Sequence, residues 1–419
     1  MAADGGRVGT ARARAVLVVV FLGLFVDSLL YSIAVPVLPA YSRRFDASAL
    51  EVGVLFAAYA MGLLVASPAA GRISDRAGRR VPMVAGSLGI AAATVLFALG
   101  DTYWLLLVAR TVQGAAAAVV WTAGVALIAD AFPDAKRGPA MGTAMASMSV
   151  GLIAGPPLGG LLSARSGEAA PFLVAAVFAG LNVLLQLTVV PSGDARIAPE
   201  RQRRPVLRHR DGLVAFAAVA AAAGALSFVE PTLSLYLGDR FHAGGGLIGI
   251  LFGAATVVHA GTSIGVGYLD RRVGFRVLAG AGLTGTGGVL AGLVLPGSTG
   301  AVAVVLCAFA VTMTFALVPA LPEMGRLVER IGAGYGAAYA LFNTAYAVGM
   351  LVGPLGGGLG LTYAGTPVVY AVAGGLVATA GLLILAVDAA RRVIPAPETP
   401  QPSGSATSTD QTGAIHAHS

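Results

Sequence analysis

Long apolar runs, parted by short polar breaks, cover the chain almost from end to end. The first, residues 16–39, reads VLVVVFLGLFVDSLLYSIAVPVLP and is long enough to cross a bilayer as a helix. Twelve such spans are predicted, at 15–39, 50–71, 82–99, 104–129, 140–163, 170–191, 212–237, 246–268, 277–296, 300–322, 334–360 and 366–388. The longest internal polar break, residues 191–211 (PSGDARIAPERQRRPVLRHRD), splits them six and six. The expected organisation is a cytoplasmic tail at 1–14, a six-helix bundle at 15–191 and a cytoplasmic linker at 192–211. A second six-helix bundle at 212–390 and a disordered cytoplasmic tail at 391–419, rich in Pro, Ser and Thr, complete it.

The two halves repeat. Span 5 carries Gly151, Gly155, Pro156, Gly159 and Gly160, and span 11 carries Gly349, Gly353, Pro354, Gly356 and Gly357, displaced by 198 residues. The loop from Gly71 to Arg80 (GRISDRAGRR) has a looser echo from Gly267 to Arg276 (GYLDRRVGFR). Two parallel repeats around a long loop suggest a carrier whose halves rock about a midplane site. The fold class is therefore an all-α membrane protein of twelve transmembrane helices in two six-helix pseudo-repeats.

Composition narrows this further. With 57% hydrophobic and 11% charged residues, a soluble domain could not hide its apolar surface. Of the 27 basic residues, 22 fall in the tails and loops on one side if both termini are cytoplasmic. Four lie outside (Arg43, Arg44, Arg165, Arg240) and one, Arg110, lies within a span. That asymmetry sets an orientation with both termini cytoplasmic. The net charge of +7 thus reports topology and implies no nucleic-acid partner. Arg7, Arg12 and Arg14 before an apolar run resemble a signal peptide, but the run is too long, contains Asp27 and lacks a small-residue cleavage site. It is expected to stay as the first span. A single cysteine, Cys307, gives neither an internal disulfide nor a metal cluster. The sole lysine, Lys136, lies in a loop, so no phosphate-binding Gly-x-x-x-x-Gly-Lys exists. No cofactor, metal site or enzymatic centre is expected; His416 and His418 belong to a bland tail. Arginine in place of lysine, with abundant alanine, suggests a GC-rich bacterial genome and hence the inner membrane.

The candidate chemistry lies in the spans. Asp27 and Glu230 are the only acids well inside any of them. A carboxylate in hydrocarbon is costly and marks a functional site by default. Ser28, Tyr31 and Ser32 offer polar atoms near Asp27. Aligning the halves at Phe45/Phe241 and Phe56/Phe252 sets Glu230 opposite Ala34, seven residues after Asp27. The acids would then share a face at depths ~10 Å apart. Arg110 needs an anionic or carbonyl partner. His259 reads as a hydrogen-bonded packing residue. Asn182, Gln186, Asn343, Tyr339 and Tyr346 are further polar candidates. Trp121, Phe228 and Phe342 could stack on a cationic ligand, with lipid-facing packing the plainer expectation for each.

These motifs resemble the major facilitator superfamily over nearly the whole chain. The loop Gly71-x-x-x-Asp75-Arg76-x-Gly78-Arg79-Arg80 matches its best-known signature, in which Gly78 permits a tight reversal. The resemblance implies that Gly71, Asp75, Arg76, Gly78 and Arg79 form a conformational latch. Arg110-Thr-Val-Gln113-Gly114 matches a second signature, linked in the family to proton transfer; a structural pairing is the rival reading. The Gly-Pro-x-x-Gly-Gly of span 5 is the pattern associated with antiporters, though packing alone would also explain it. More closely, residues 25–39, residues 228–236 and the run from Gly155 to Gly159 resemble the vesicular amine transporter branch of the drug–proton antiporters. That branch uses the acids at the Asp27 and Glu230 positions for a cationic substrate or its coupling proton. Its acids in spans 10 and 11 fall here on Leu317 and Asn343, and its span 2 lysine on Tyr59.

Three functions compete: a proton-coupled exporter of small amphipathic cations, a proton-coupled symporter importing a small neutral or anionic metabolite, and a membrane enzyme or receptor. Arg110 alone argues against an anion carrier, and the missing catalytic motifs reject the third. The favoured reading is drug or secondary-metabolite efflux by a monomer. Its partners are a small-molecule substrate, protons and the bilayer. The substrate and proton site would comprise Asp27, Glu230, Arg110, Tyr31, Asn343 and Tyr346.

Overall fold

A computed structural model describes residues 2–189, 206–331 and 335–393. The first half contains α1 (Ala2–Ser32), α2 (Leu38–Arg44), α3 (Ala49–Arg76), α4 (Arg80–Leu99), α5 (Tyr103–Ala131), α6 (Asp134–Ser166) and α7 (Ala170–Val189). The second contains α8 (Arg210–Phe241), α9 (Gly245–Val273), α10 (Phe275–Gly292), α11 (Thr299–Leu317), α12 (Ala320–Arg330), α13 (Tyr335–Tyr363) and α14 (Thr366–Val393).

Two expected single spans are broken. The first is interrupted after Ser32 by a short 3-10 turn, Val35–Val37, and resumes as α2; Pro36 and Pro39 stand at the starts of those two segments. The tenth breaks before Pro319, which lacks the N–H that would continue α11 into α12. Eleven stretches among the described residues are long and apolar enough to cross a membrane. The twelfth crossing is α10, shorter and diluted by glycine, and packed against α14 and α11. By contrast, α6 continues unbroken through Pro139, Pro156 and Pro157.

The glycine motifs are the joints of this architecture. Gly151, Gly155 and Gly159 line one face of α6, and a Cβ on any of them would strike α1 at Phe25, Ser32 or Ile33. Gly349, Gly353 and Gly357 do the same for α13 against α8. Serine hydroxyls close both seams: Ser32 donates to the Gly151 carbonyl at 3.3 Å and Ser227 to that of Gly349 at 3.2 Å. Matching these serines aligns Glu230 with Val35, one residue beyond the expected Ala34, in the turn that breaks the first span.

The other face of each motif meets the opposite half. A Cβ on Gly53 of α3 would overlap the Pro354 carbonyl of α13, and one on Gly249 of α9 would overlap the Pro156 carbonyl of α6. Gly358 against Ala49, and Gly160 against Gly245, repeat the contact one turn on. All four contacts lie at the end of the bundle remote from where α1 begins, here called distal. The halves are sealed distally.

Candidate functional site

Between the halves lies a cavity of about 90 Å³ lined by α1, α3, α5, α6 and α13. Asp27 forms part of its wall and is 2% exposed. The Tyr59 hydroxyl donates to Asp27 Oδ2 at 2.9 Å and lies 3.1 Å from Oδ1, while the Trp121 indole N–H reaches Oδ2 at 3.1 Å. Gly114 makes the α3–α5 approach possible, since a Cβ there would overlap the Tyr59 carbonyl. No ion pair to Asp27 exists among the described residues. Its carboxyl is thus held by neutral donors, with Arg110 acting on it from a distance and out of contact, an arrangement that leaves room for a cationic ligand.

Aromatic rings furnish the rest of the wall. Tyr31, Tyr59, Trp121, Phe342 and Tyr346 all line the cavity, with Asn343, Met148 and Met350 beside them. Tyr31 lies 5.2 Å from Tyr59 between centroids, and Phe342 stacks on Tyr346 at 6.0 Å. Such faces attract cations. The expectation of lipid-facing packing is corrected for Trp121, which is buried because its indole serves Asp27, and for Phe342, which faces the cavity. Phe228 packs instead on Tyr370 at 5.1 Å, away from the cavity.

Glu230 lies behind this wall. It is 6% exposed, is not among the cavity-lining residues, and accepts from the Tyr31 hydroxyl at 2.7 Å. The expected picture of two acids on one face is therefore corrected: Asp27 meets the cavity directly, and Glu230 meets it through Tyr31.

Arg110 is 1% exposed and lies between the rings of Phe56 and Phe97, 5.3 and 5.0 Å from their centroids. Its Nη1 donates to the Gln113 side-chain carbonyl at 3.2 Å, the carbonyl partner its position demands. Nε and Nη2 have no protein acceptor among the described residues. The guanidinium remains within electrostatic reach of Tyr31, Tyr59 and Glu230.

Other candidates are scattered. Gln186 donates to Ser87 at 2.7 Å inside the first half, and Asn182 is buried beside it on α7. His259 Nδ1 sits 2.8 Å from the Thr314 hydroxyl, a packing role as expected. In the signature loop Gly78 adopts φ of +74°, the reversal its lack of a side chain permits. Arg79 bonds Asp130 at 3.0 Å and the Ser74 carbonyl at 3.0 Å. Gly71 faces open space and Arg76 is exposed. The side chains of Asp75 and Tyr339, and all of His416 and His418, lie outside the described residues. In the echo of that loop, Asp270 is held by Arg326 at 3.1 Å, a partner 56 residues away that no motif singles out.

Comparison with known proteins fits this geometry. A sequence profile of the Major Facilitator Superfamily matches residues 20–337. The chain belongs to that superfamily. It is 31% identical over 364 residues to a probable vesicular acetylcholine transporter-B of Danio rerio, covering 80% of this chain and 72% of the relative. It is 30% identical over 308 residues to the synaptic vesicular amine transporter of Mus musculus, covering 71% of this chain and 59% of that protein's length. A bacterial homolog of the human lysosomal transporter Spinster, in an inward-facing, unoccupied conformation, superposes with a TM-score of 0.69 at 14% identity, covering 90% of this chain and 96% of that one. This member of the superfamily is a multi-pass transporter of small molecules and not an enzyme.

Proposed function

We propose that the protein is a proton-coupled antiporter that exports small amphipathic amines as cations, with drugs or secondary metabolites among its cargo. One observation carries this reading: a buried carboxyl, Asp27, in an aromatic-walled cavity, fixed by neutral donors and in no ion pair among the described residues. A protonated or quaternary ammonium satisfies both the charge and the ring faces. A proton satisfies the charge alone. Because one carboxylate cannot hold both, binding of cargo releases the proton, and the two fluxes are coupled. The vesicular acetylcholine and amine transporters named above support an amine as cargo. The basic side chains gathered at the proximal end support a cytoplasmic placement of that end and of both termini in the cell membrane.

In proteoliposomes, adding an amine such as a quaternary ammonium dye should drive proton movement, and Asp27→Asn should abolish it. Full coupling in Asp27→Asn would remove Asp27 from the mechanism. Expression in a drug-sensitive bacterium should raise resistance to cationic compounds; uptake of a neutral metabolite with no change in resistance would favour the symporter instead.

A further inference from the structure

The two buried acids do not touch, yet two tyrosines in contact join them. Tyr59 donates to Asp27, its ring packs on that of Tyr31, and Tyr31 donates to Glu230. Tyr31 stands one turn after Asp27 on α1, on the same face of the helix. The donor therefore comes from the first half and the acceptor from the second. Among the described residues the Glu230 carboxyl has no other hydrogen-bond donor.

We propose that the Tyr31–Glu230 hydrogen bond is the proton-sensitive tie that keeps the distal side shut. This rests on the antiport reading above and names the contact through which coupling acts. The tie is well placed. Immediately beyond Tyr31, Pro36 abuts Gly245 and Pro39 abuts Gly238, so the distal end of the first span is pressed against α8 and α9. Drawing the halves apart there pulls α8 away from α1 and must break the bond. A hydrogen bond to an ionised group is roughly twice as strong as a neutral one. The tie is accordingly tight while Glu230 is charged and slack once it carries a proton. Tyr31 from α1, Tyr346 from α13 and Arg110 from α5 are the titratable and charged groups that act on Glu230. Protonation of Glu230 thus favours distal opening. Reclosure, which returns the Tyr31 donor, favours release of the proton. Exchange of cargo for a proton at Asp27 and protonation of Glu230 then act on opposite ends of one tyrosine pair.

The test uses the full chain in proteoliposomes, with Cys307→Ser and spin labels at Asp101→Cys and Gly297→Cys, exposed positions in distal loops of the two halves. Wild-type Tyr31 should show a longer label distance gaining population as pH falls. In Tyr31→Phe the open population at high pH should rise about tenfold or more, and the pH response should vanish. Glu230→Gln should behave alike, and it carries the test alone if Tyr31→Phe does not fold. A wild-type pH response in either variant would overturn the proposal. Amine-driven proton flux, measured in parallel on the unsubstituted protein, reports on the antiport reading separately: flux present with the pH response retained in Tyr31→Phe sinks only the tie.

Discussion

The two distal seals offer a way to move the conformational equilibrium without touching the cavity. Gly53 and Gly249 each face a proline carbonyl of the other half, with the Pro354 carbonyl carbon 3.2 Å and the Pro156 carbonyl carbon 3.1 Å from where a Cβ would stand. The obstructing atoms are backbone and cannot swing aside, so alanine at either site forces the halves apart by a fraction of an ångström. Overpacking of this kind costs about 1–3 kcal/mol. Because the partner lies across the interface, the penalty exists only while the distal side is closed. Each substitution should raise the open-to-closed ratio by about 5- to 150-fold. The seals share no residue, so Gly53→Ala with Gly249→Ala should add to about 2–6 kcal/mol. Gly287→Ala is the control, since its Cβ would meet Gly374 and Ala378 within the second half and burden both states equally. Label distances between positions 101 and 297 read the outcome directly. An unshifted distribution in a folded double variant, or an equal shift from Gly287→Ala, would refute the assignment of these glycines as the seal.

Two further outcomes follow from buried polar groups. Arg110 leaves Nε and Nη2 without a protein acceptor among the described residues, so its burial is not explained by stability; Arg110→Met should match or exceed the parent in thermal unfolding while transport is lost, because replacing a poorly paired buried ion by an apolar side chain is often neutral or stabilising. Arg110→Lys should not rescue transport, as an ammonium cannot lie flat between Phe56 and Phe97. Ser32→Ala and Ser227→Ala remove matched hydrogen bonds within the two halves, and should lower stability by similar amounts of about 0.6 kcal/mol, under ~2 kcal/mol, in detergent unfolding. A much larger loss at one of them would show that the seams are not equivalent.

The spans, their parity and the repeat were legible because bilayer thickness and backbone satisfaction impose long apolar helices on any such chain. The breaks after Ser32 and before Pro319 were not, since hydropathy passes smoothly over them and only the proline positions hint at a pause. Asp27 announced itself as a charge in oil. What holds it did not: Tyr59 and Trp121 are far from it in sequence, and neither has a periodicity that separates a cavity wall from a lipid-facing stripe. The clearest trace was indirect, in the tyrosine standing at 59 where the resembling branch has lysine. A lysine there would neutralise Asp27 in place; a tyrosine orients the carboxyl and leaves its charge for the ligand.

In the sequence the glycine motifs indicate close packing, and only the fold separates their two duties. Gly151, Gly155 and Gly159 fix α6 to its own half, whereas Pro156 and Gly160, a fraction of a turn round the helix, face the other half. The same division recurs on α13. The scaffold thus obeys the internal twofold closely, down to matched seals and matched serines, and the acids break it. Asp27 lies five residues before Ser32, and Glu230 lies three after Ser227. If symmetry alone governed the site, one acid would have a twin in the other half; at the positions these serines match to the two acids stand Ala222 and Val35. A symmetric hinge with an asymmetric pair of charges allows one rocking motion to do two different things at its two acids, exposing Asp27 to the cavity while Tyr31 opens or closes on Glu230.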